Sequence, residues 1–333
     1  MTLRRPTRRD LVRTGVAGAA GVALLRARPA RAAPTLRLLL NWFAEAEHGG
    51  FFQAKATGLY DQAGIDVELM QGGPQVNTTQ LLLAGAADIT LAYDLQILSG
   101  VERGLPLRAI AASFQVDLLG IMAHPEATSL AQLKGHKIFV ANSAYTSYWP
   151  WLKQKFGYTD DMAGPKGASL QTFFADPASA VGGYITSEPF VAQQRGQKVN
   201  FLLFSQEGWP AYTNPLLTTE AFLAANGPMV RPFLKASMEG WKSYLADPAP
   251  GNALIKAANP KMADDQLAFG LAKLREIKAV EGGDAGTMGL GIMTEARWRK
   301  TRDFMVAVDL LKADTDWRKA FTTDYIKDVN VTL

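Results

Sequence analysis

Leu36-Arg37-Leu38-Leu39-Leu40-Asn41-Trp42-Phe43-Ala44-Glu45-Ala46-Glu47-His48-Gly49-Gly50 is the stretch that decides the fold of this 333-residue chain. It reads as a short apolar strand that stops at an Asn-Trp step. Two carboxylates, an imidazole and a glycine pair follow, and a helix begins at the glycines. The pattern predicts a flat aromatic ring, hydrogen-bonding side chains and helix-start N–H groups at the mouth of a sheet. Such a rim suits a planar, polar small molecule.

Upstream, Arg4, Arg5, Arg8, Arg9 and Arg13 precede an apolar stretch at 16–25, and Ala30-Arg31-Ala32 puts small residues at the cleavage-determining positions. This three-part layout is that of a secretory signal, expected to be cleaved near Ala32 and to deliver the chain to a periplasm. Thr7-Arg8-Arg9-Asp10-Leu11-Val12 is similar to a twin-arginine export motif, which implies transit in the folded state. The apolar core is about half of the roughly 20 residues that a membrane span needs, and no later stretch is apolar enough to span. Residues 1–32 hold eight of the 35 basic residues and one of the 31 acidic ones. The remaining 301 residues therefore carry a formal −3, against +4 for the whole chain. No basic field is left to favour nucleic acid or an anionic membrane.

The chain has no cysteine and three histidines, at 48, 124 and 136. Disulfides, thiolate metal ligands, a cysteine nucleophile and a lipid-modified N-terminal cysteine are excluded together. Three histidines also make a multi-histidine metal site unexpected.

From residue 35 onward, short Leu-rich or β-branched runs alternate with helical periodicity, which argues for βαβ units in an α/β fold. Strands are expected at 35–40, 65–70, 87–91, 107–114 and 118–123, with helices at 49–57, 76–84 and 95–102. A second block starts near Thr128, with strands at 137–140, 183–185 and 199–204. Its helices run through 149–156 and follow Glu188-Pro189. A strand at 216–219 then returns to the first block. From 228 to 246, Val230, Phe233, Leu234, Met238, Trp241, Tyr244 and Leu245 are spaced by three and four and form one buried stripe. The expected organisation is residues 1–32 as signal, 33–125 plus 216–333 as one lobe, and 126–215 as the other. Two crossings, near 123–128 and 212–217, would let the lobes hinge over a cleft lined by strand ends.

These residues also carry a resemblance. Asn41-Trp42-Phe43 with Glu47-His48-Gly49, Gly58-Leu59-Tyr60, Gly64-Ile65-Asp66-Val67, Ala84-Gly85-Ala86-Ala87-Asp88 and Gly104-Leu105-Pro106-Leu107 follow one another in order. So do Leu130-Ala131-Gln132-Leu133-Lys134-Gly135 and Gly183-Tyr184-Ile185-Thr186-Ser187-Glu188-Pro189-Phe190. From Thr35 to about Thr219 the series resembles transporter substrate-binding proteins of the thiamine-pyrimidine synthase-like and sulfonate–nitrate–taurine group. The resemblance implies a type II periplasmic-binding-protein fold and delivery of a ligand to an ABC permease in the inner membrane. Ligands of the group include pyrimidine thiamine precursors, sulfonates, nitrate, flavins and aromatic carboxylates. A fungal relative instead makes the pyrimidine from its own histidine and bound pyridoxal phosphate, aided by a cysteine-rich segment. His48 matches that histidine, but the absence of cysteine and the export signal oppose the synthase reading. No cofactor, metal or catalytic residue is expected, and the protein is read as a monomer.

The candidate ligand-binding residues are Trp42, Glu45, His48, Asn77, Tyr93, Asp94, Ser143, Tyr145, Glu188 and Tyr212. Trp42 either stacks on a planar ligand or lies as a core indole under the first helix. His48 bonds the ligand or holds Glu45 or Glu47, of which one faces the ligand and the other is solvated. Glu188 accepts from an amine or ring N–H, or caps its helix. Asn77 and Ser143 stand at helix starts, the second beside Tyr145. Tyr93-Asp94 lines the floor, and Trp209 to Tyr212 forms a lid or braces the hinge. The supply of aromatic residues favours a flat heterocycle, with an aromatic carboxylate or sulfonate as the alternative.

Overall fold

Ten strands form two five-stranded sheets in the computed structural model, which describes residues 34–333 apart from 74, 75 and 168. The expected signal lies outside the described residues. The first sheet has the order β2-β1-β3-β10-β4, built from β1 (Thr35–Leu39), β2 (Asp66–Met70), β3 (Ile89–Tyr93), β4 (Leu107–Phe114) and β10 (Thr213–Thr219). The second has the order β7-β6-β8-β5-β9, from β5 (Leu119–Ala123), β6 (Lys137–Val140), β7 (Ala163–Pro165), β8 (Ser179–Tyr184) and β9 (Asn200–Leu203). Strands β1, β2 and β3 pair in parallel, as do β6, β7 and β8. Strand β10 runs antiparallel between β3 and β4, and β5 runs antiparallel between β8 and β9. Each sheet thus takes one strand against the direction of its parallel set.

Sequence periodicity found most elements within a few residues and assigned one of them to the wrong sheet. The run at 118–123 was expected to stay with the first block, yet β5 pairs with β8 and β9. The first crossing is therefore at 115–118, not at 123–128. The return crossing is at 209–212, because β10 already begins at Thr213. A fully apolar strand reads the same in either sheet, so nothing local distinguishes them. The long helix Glu220–Ala246 begins eight residues before the expected start and runs through Pro228 and Pro232. Thr219 caps it by accepting the Phe222 N–H at 3.1 Å, and all seven residues of the anticipated stripe are buried. Pro150 falls in the first turn of helix Tyr148–Phe156, where its missing N–H removes no helical bond.

The stripe packs on the helix Gly49–Ala56 that follows β1. Trp241 meets Phe51 and Phe114 edge-on at 6.0 and 5.2 Å, joining helix, helix and sheet in one core. The glycine pair serves this contact. A Cβ at Gly50 would lie 2.3 Å from the Trp241 ring, and one at Gly49 would lie 2.1 Å from that of Tyr244. The expected role of these glycines, exposing N–H groups, therefore gives way to a steric one, since both are buried.

Two buried carboxylates tie the crossings together. Asp117, in the first crossing, accepts from Leu119 N at 3.0 Å, from Trp209 Nε1 at 2.6 Å and from the Thr213 hydroxyl. Asp94 accepts from Leu95 N (2.9 Å), Tyr212 N (3.0 Å) and Thr301 Oγ1 (2.9 Å). Arg297 donates to the carbonyls of Pro210 and Ala211 and lies 4.3 Å over the Tyr212 ring.

Gly240 on the long helix abuts the other helix so closely that a Cβ there would sit 2.2 Å from the Gly50 carbonyl oxygen. Gly240→Ala is expected to cost about 1–3 kcal/mol through forced separation of the helices, measured by urea unfolding.

Candidate functional site

The loop that leaves β1 is fixed from several sides before it reaches its helix. Asn41 donates through Nδ2 to Asn214 Oδ1 at 2.9 Å, and its Oδ1 stands 3.1 Å from His48 Nε2. The other ring nitrogen, Nδ1, is 3.4 Å from the Glu45 backbone N–H. With Asn41 oriented by Asn214, the network assigns the proton to Nε2 and makes Nδ1 the acceptor. Ala44 N donates to Gln71 Oε1 at 2.8 Å, and its carbonyl accepts from Asn259 at 3.0 Å. Asn214 adopts φ +53°, a left-handed conformation that asparagine tolerates better than most residues.

This bracing presents the rim. Trp42 is 43 % exposed and meets Phe43 edge-on at 5.8 Å. Glu45 is half-buried, whereas Glu47 is 4 % exposed, so neither member of the pair is freely solvated as expected. The second sheet supplies the opposite wall. The turn after β8 carries Thr186, Ser187 and Glu188 against the same carboxylates. Thr186 Oγ1 donates to Glu47 Oε1, and Ser187 Oγ lies 3.4 Å from Glu45 Oε2 and 3.5 Å from Glu47 Oε1. Glu188 folds back over β8, where Oε2 accepts the Tyr184 N–H at 2.7 Å and Oε1 meets Lys166 Nζ at 2.6 Å. Gly183 makes room for it, since a Cβ there would be 2.0 Å from the carboxylate.

Charge in this seam is governed by desolvation. Burial, then the nearby Glu47 and Glu188, push the Glu45 carboxyl well above the usual range, and burial also raises Glu47. Burial lowers His48 to about 3. At neutral pH the imidazole is therefore uncharged, and both its nitrogens face partners within the fold.

The candidates predicted from sequence divide clearly. Glu45 and Glu188 meet in the seam, with Trp42 on its rim. Tyr145 is 41 % exposed in the short turn after β6, and Tyr93 is half-buried at the end of β3. His48 stands behind the rim, 2 % exposed, as a brace. Asn77 uses its side chain to cap helix Thr78–Leu83, accepting Gln80 N at 3.0 Å. Asp94 and Tyr212, expected to line the cleft, are instead wholly buried around the crossings, because their polar groups complete the ties described above. The side chain of Ser143 lies outside the described residues. Lys166, Asn41 and Asn214 were missed. Lys166 is 22 residues from its partner and Asn214 is 173 from Asn41, so no local spacing signals either pair.

Residues 45–250 match the family model described as NMT1/THI5 like. The chain belongs to the NMT1/THI5-like family. Two relatives are a putative thiamine biosynthesis protein of Haemophilus influenzae and a formylaminopyrimidine-binding protein of Halalkalibacterium halodurans. The first is 23 % identical over 37 % of this chain and 40 % of its own length, and the second 24 % over 55 % and 58 %. The chain thus spans about half the length of these curated relatives. The alkanesulfonate-binding protein SsuA of Xanthomonas axonopodis pv. citri, solved bound to MOPS, superposes with a TM-score of 0.64 at 16 % identity. That match covers 88 % of this chain and all of that one. The fold of this NMT1/THI5-like protein is accordingly that of the periplasmic binding proteins, as the order of its two sheets indicates.

The His48 ring is expected to show no titration between about pH 5 and 8 in nuclear magnetic resonance spectra, with the Nε2–H tautomer throughout. Its pKa is lowered from 6.5 to about 3. The stability it contributes is therefore complete above pH 6.5 and declines as the pH falls toward 3. His48→Gln should remove that component from the pH dependence of unfolding.

Proposed function

We propose that this protein is the exported, periplasmic solute receptor of an ABC importer. In this reading it captures a small planar, polar ligand between two lobes and presents the closed form to an inner-membrane permease. The observation that carries the reading is the seam itself. Polar side chains from the loop after β1 and from the turn after β8 meet there, at the strand ends where open α/β sheets take ligands. The lobes are residues 34–114 with 213–333, and 119–208, joined at 115–118 and 209–212. Contacts to both would make closure a population shift driven by the ligand. The protein acts as a monomer, with Trp42, Glu45, Glu188 and Tyr145 toward the ligand and Tyr93 beneath it.

A pyrimidine or related heterocycle fits this setting better than an aromatic carboxylate or sulfonate. An exposed indole at a strand end offers a stacking face worth about 0.5–1.5 kcal/mol beyond area burial. Three carboxylates against one lysine oppose an anion. The bacterial relative named for formylaminopyrimidine supports the same class. The synthase reading finds less support. His48 is buried, neutral and bonded on both sides, and the chain contains no cysteine. Covalent or oxidised product after incubation with pyridoxal phosphate and iron would restore it.

Mass spectrometry of small molecules released on denaturing protein purified from its host is expected to find a flat nitrogen heterocycle. Recovery of nothing but inorganic anions would count against the class. Trp42→Ala is expected to weaken binding of that ligand at least tenfold, while the melting temperature stays nearly unchanged because the indole is half-exposed. Equal affinities by calorimetry would remove Trp42 from the site.

A further inference from the structure

We infer that the seam selects a cation: Glu45 and Glu47 close around an amidine-like or ammonium group of the ligand, and without one they close only by taking up protons. This rests on the receptor reading and names the charge of what that same cleft takes.

The seam holds an imbalance of partners. Four charged side chains meet in the seam, Glu45 and Glu47 from one wall and Glu188 and Lys166 from the other. Lys166 is spent on Glu188 at 2.6 Å, and it also donates to the Gly182 carbonyl at 2.9 Å. The second Glu188 oxygen is held by the Tyr184 N–H. Glu45 and Glu47 receive the hydroxyls of Thr186 and Ser187 and backbone N–H groups of their own turn, which supply dipoles and no charge.

Every element packed around the pair repeats the deficit. From the first wall, His48 is neutral with both ring nitrogens placed, and Tyr244 of the long helix is an uncharged phenol. From the second wall come Tyr184 and Tyr148, both uncharged phenols at neutral pH. Helix Asp264–Glu276 meets this region through Gly270, beside Ala46 and Thr186, and its Arg275 is turned to the Leu245 carbonyl. The field of Lys166 acts on Glu45, and among the described residues neither Glu45 nor Glu47 has a salt bridge of its own.

A buried Glu47 and a half-buried Glu45, with no salt bridge of their own among the described residues, are unfavourable as a doubly ionised pair. They are neutralised by protons or by a positive group brought in from outside. The raised affinity of both for protons in the closed arrangement agrees with this. The closed form binds more protons than an open, solvated one, so acid favours closure of the empty protein and alkali opens it. A cationic ligand takes the place of those protons. Its binding releases them and tightens as pH rises, up to the pKa of the ligand itself.

Three flat isosteres of different charge test the inference: benzamidine, benzamide and benzoate, titrated calorimetrically into the exported protein in two buffers of unequal ionisation enthalpy. Benzamidine is expected to bind at least tenfold more tightly than benzamide, with benzoate giving no binding heat. Its apparent enthalpy should differ between buffers in the sense of proton release. Glu47→Gln should weaken benzamidine at least tenfold and reduce the release. Glu45→Gln, at a less buried position, gives the same reading should Glu47→Gln fail to fold. Benzamide or benzoate equal to benzamidine, a buffer-independent enthalpy, or no binding of benzamidine overturns the inference. A neutral or anionic ligand released from the purified protein also overturns it while the receptor reading stands. Failure of that released ligand to compact the protein in small-angle scattering would bring down the receptor reading as well.

Discussion

The Asp117 carboxylate joins the two places where the chain passes between sheets. It lies in the first crossing and holds the indole N–H of Trp209 and the hydroxyl of Thr213 from the second. A buried carboxylate is tolerable only when its acceptor capacity is filled, and here the donors come from segments nearly a hundred residues apart. That requirement keeps the crossings side by side. Asp94 repeats the device one layer away through Tyr212 N and Thr301, and Arg297 covers the outer side by stacking on the Tyr212 ring. With the crossings adjacent, the loops that leave β1 and β8 face one another. The seam follows from this tie.

Within the seam, charge and rigidity have separate sources. Rigidity comes from amides and the imidazole: the Asn214–Asn41–His48 chain locks the loop that carries Trp42 and Glu45. Charge comes from three glutamates and one lysine, of which Glu47 is buried and the others half-buried. A histidine whose two nitrogens are committed to bracing is poorly placed for chemistry of its own, which agrees with a binding role. Fold alone does not decide what is bound. The superposable SsuA protein is named for alkanesulfonates, whereas the seam here holds three glutamates and one lysine.

The sequence made the strands and helices legible because apolar periodicity is a local property. Residues 107–114 and 137–140 were delimited to the residue, and the stripe from Val230 to Leu245 is buried throughout. Order of short motifs carried the family. Of the seam, Glu45, Glu188 and Trp42 were visible, because each stands where a strand ends and a helix or turn begins. Asp94 and Tyr212 stand in similar local settings and were read the same way. Their burial comes from Thr301, Arg297 and Thr294, which lie far along the chain and carry no mark of the contact.

Composition and periodicity by themselves determined an α/β chain of alternating strands and helices, with no thiol chemistry and a negative charge once the arginine-rich first 32 residues are set aside. These features depend on each residue's own chemistry and on neighbours within a turn or a strand. Only the tertiary structure decided that β5 belongs to the second sheet, that Gly49 and Gly50 exist to admit Tyr244 and Trp241, and that Lys166 is consumed by Glu188. Pairing partners, steric clearance and counter-charges are set by distances in space between residues remote in sequence, and an apolar strand, a glycine or a lysine looks locally the same whichever partner it meets.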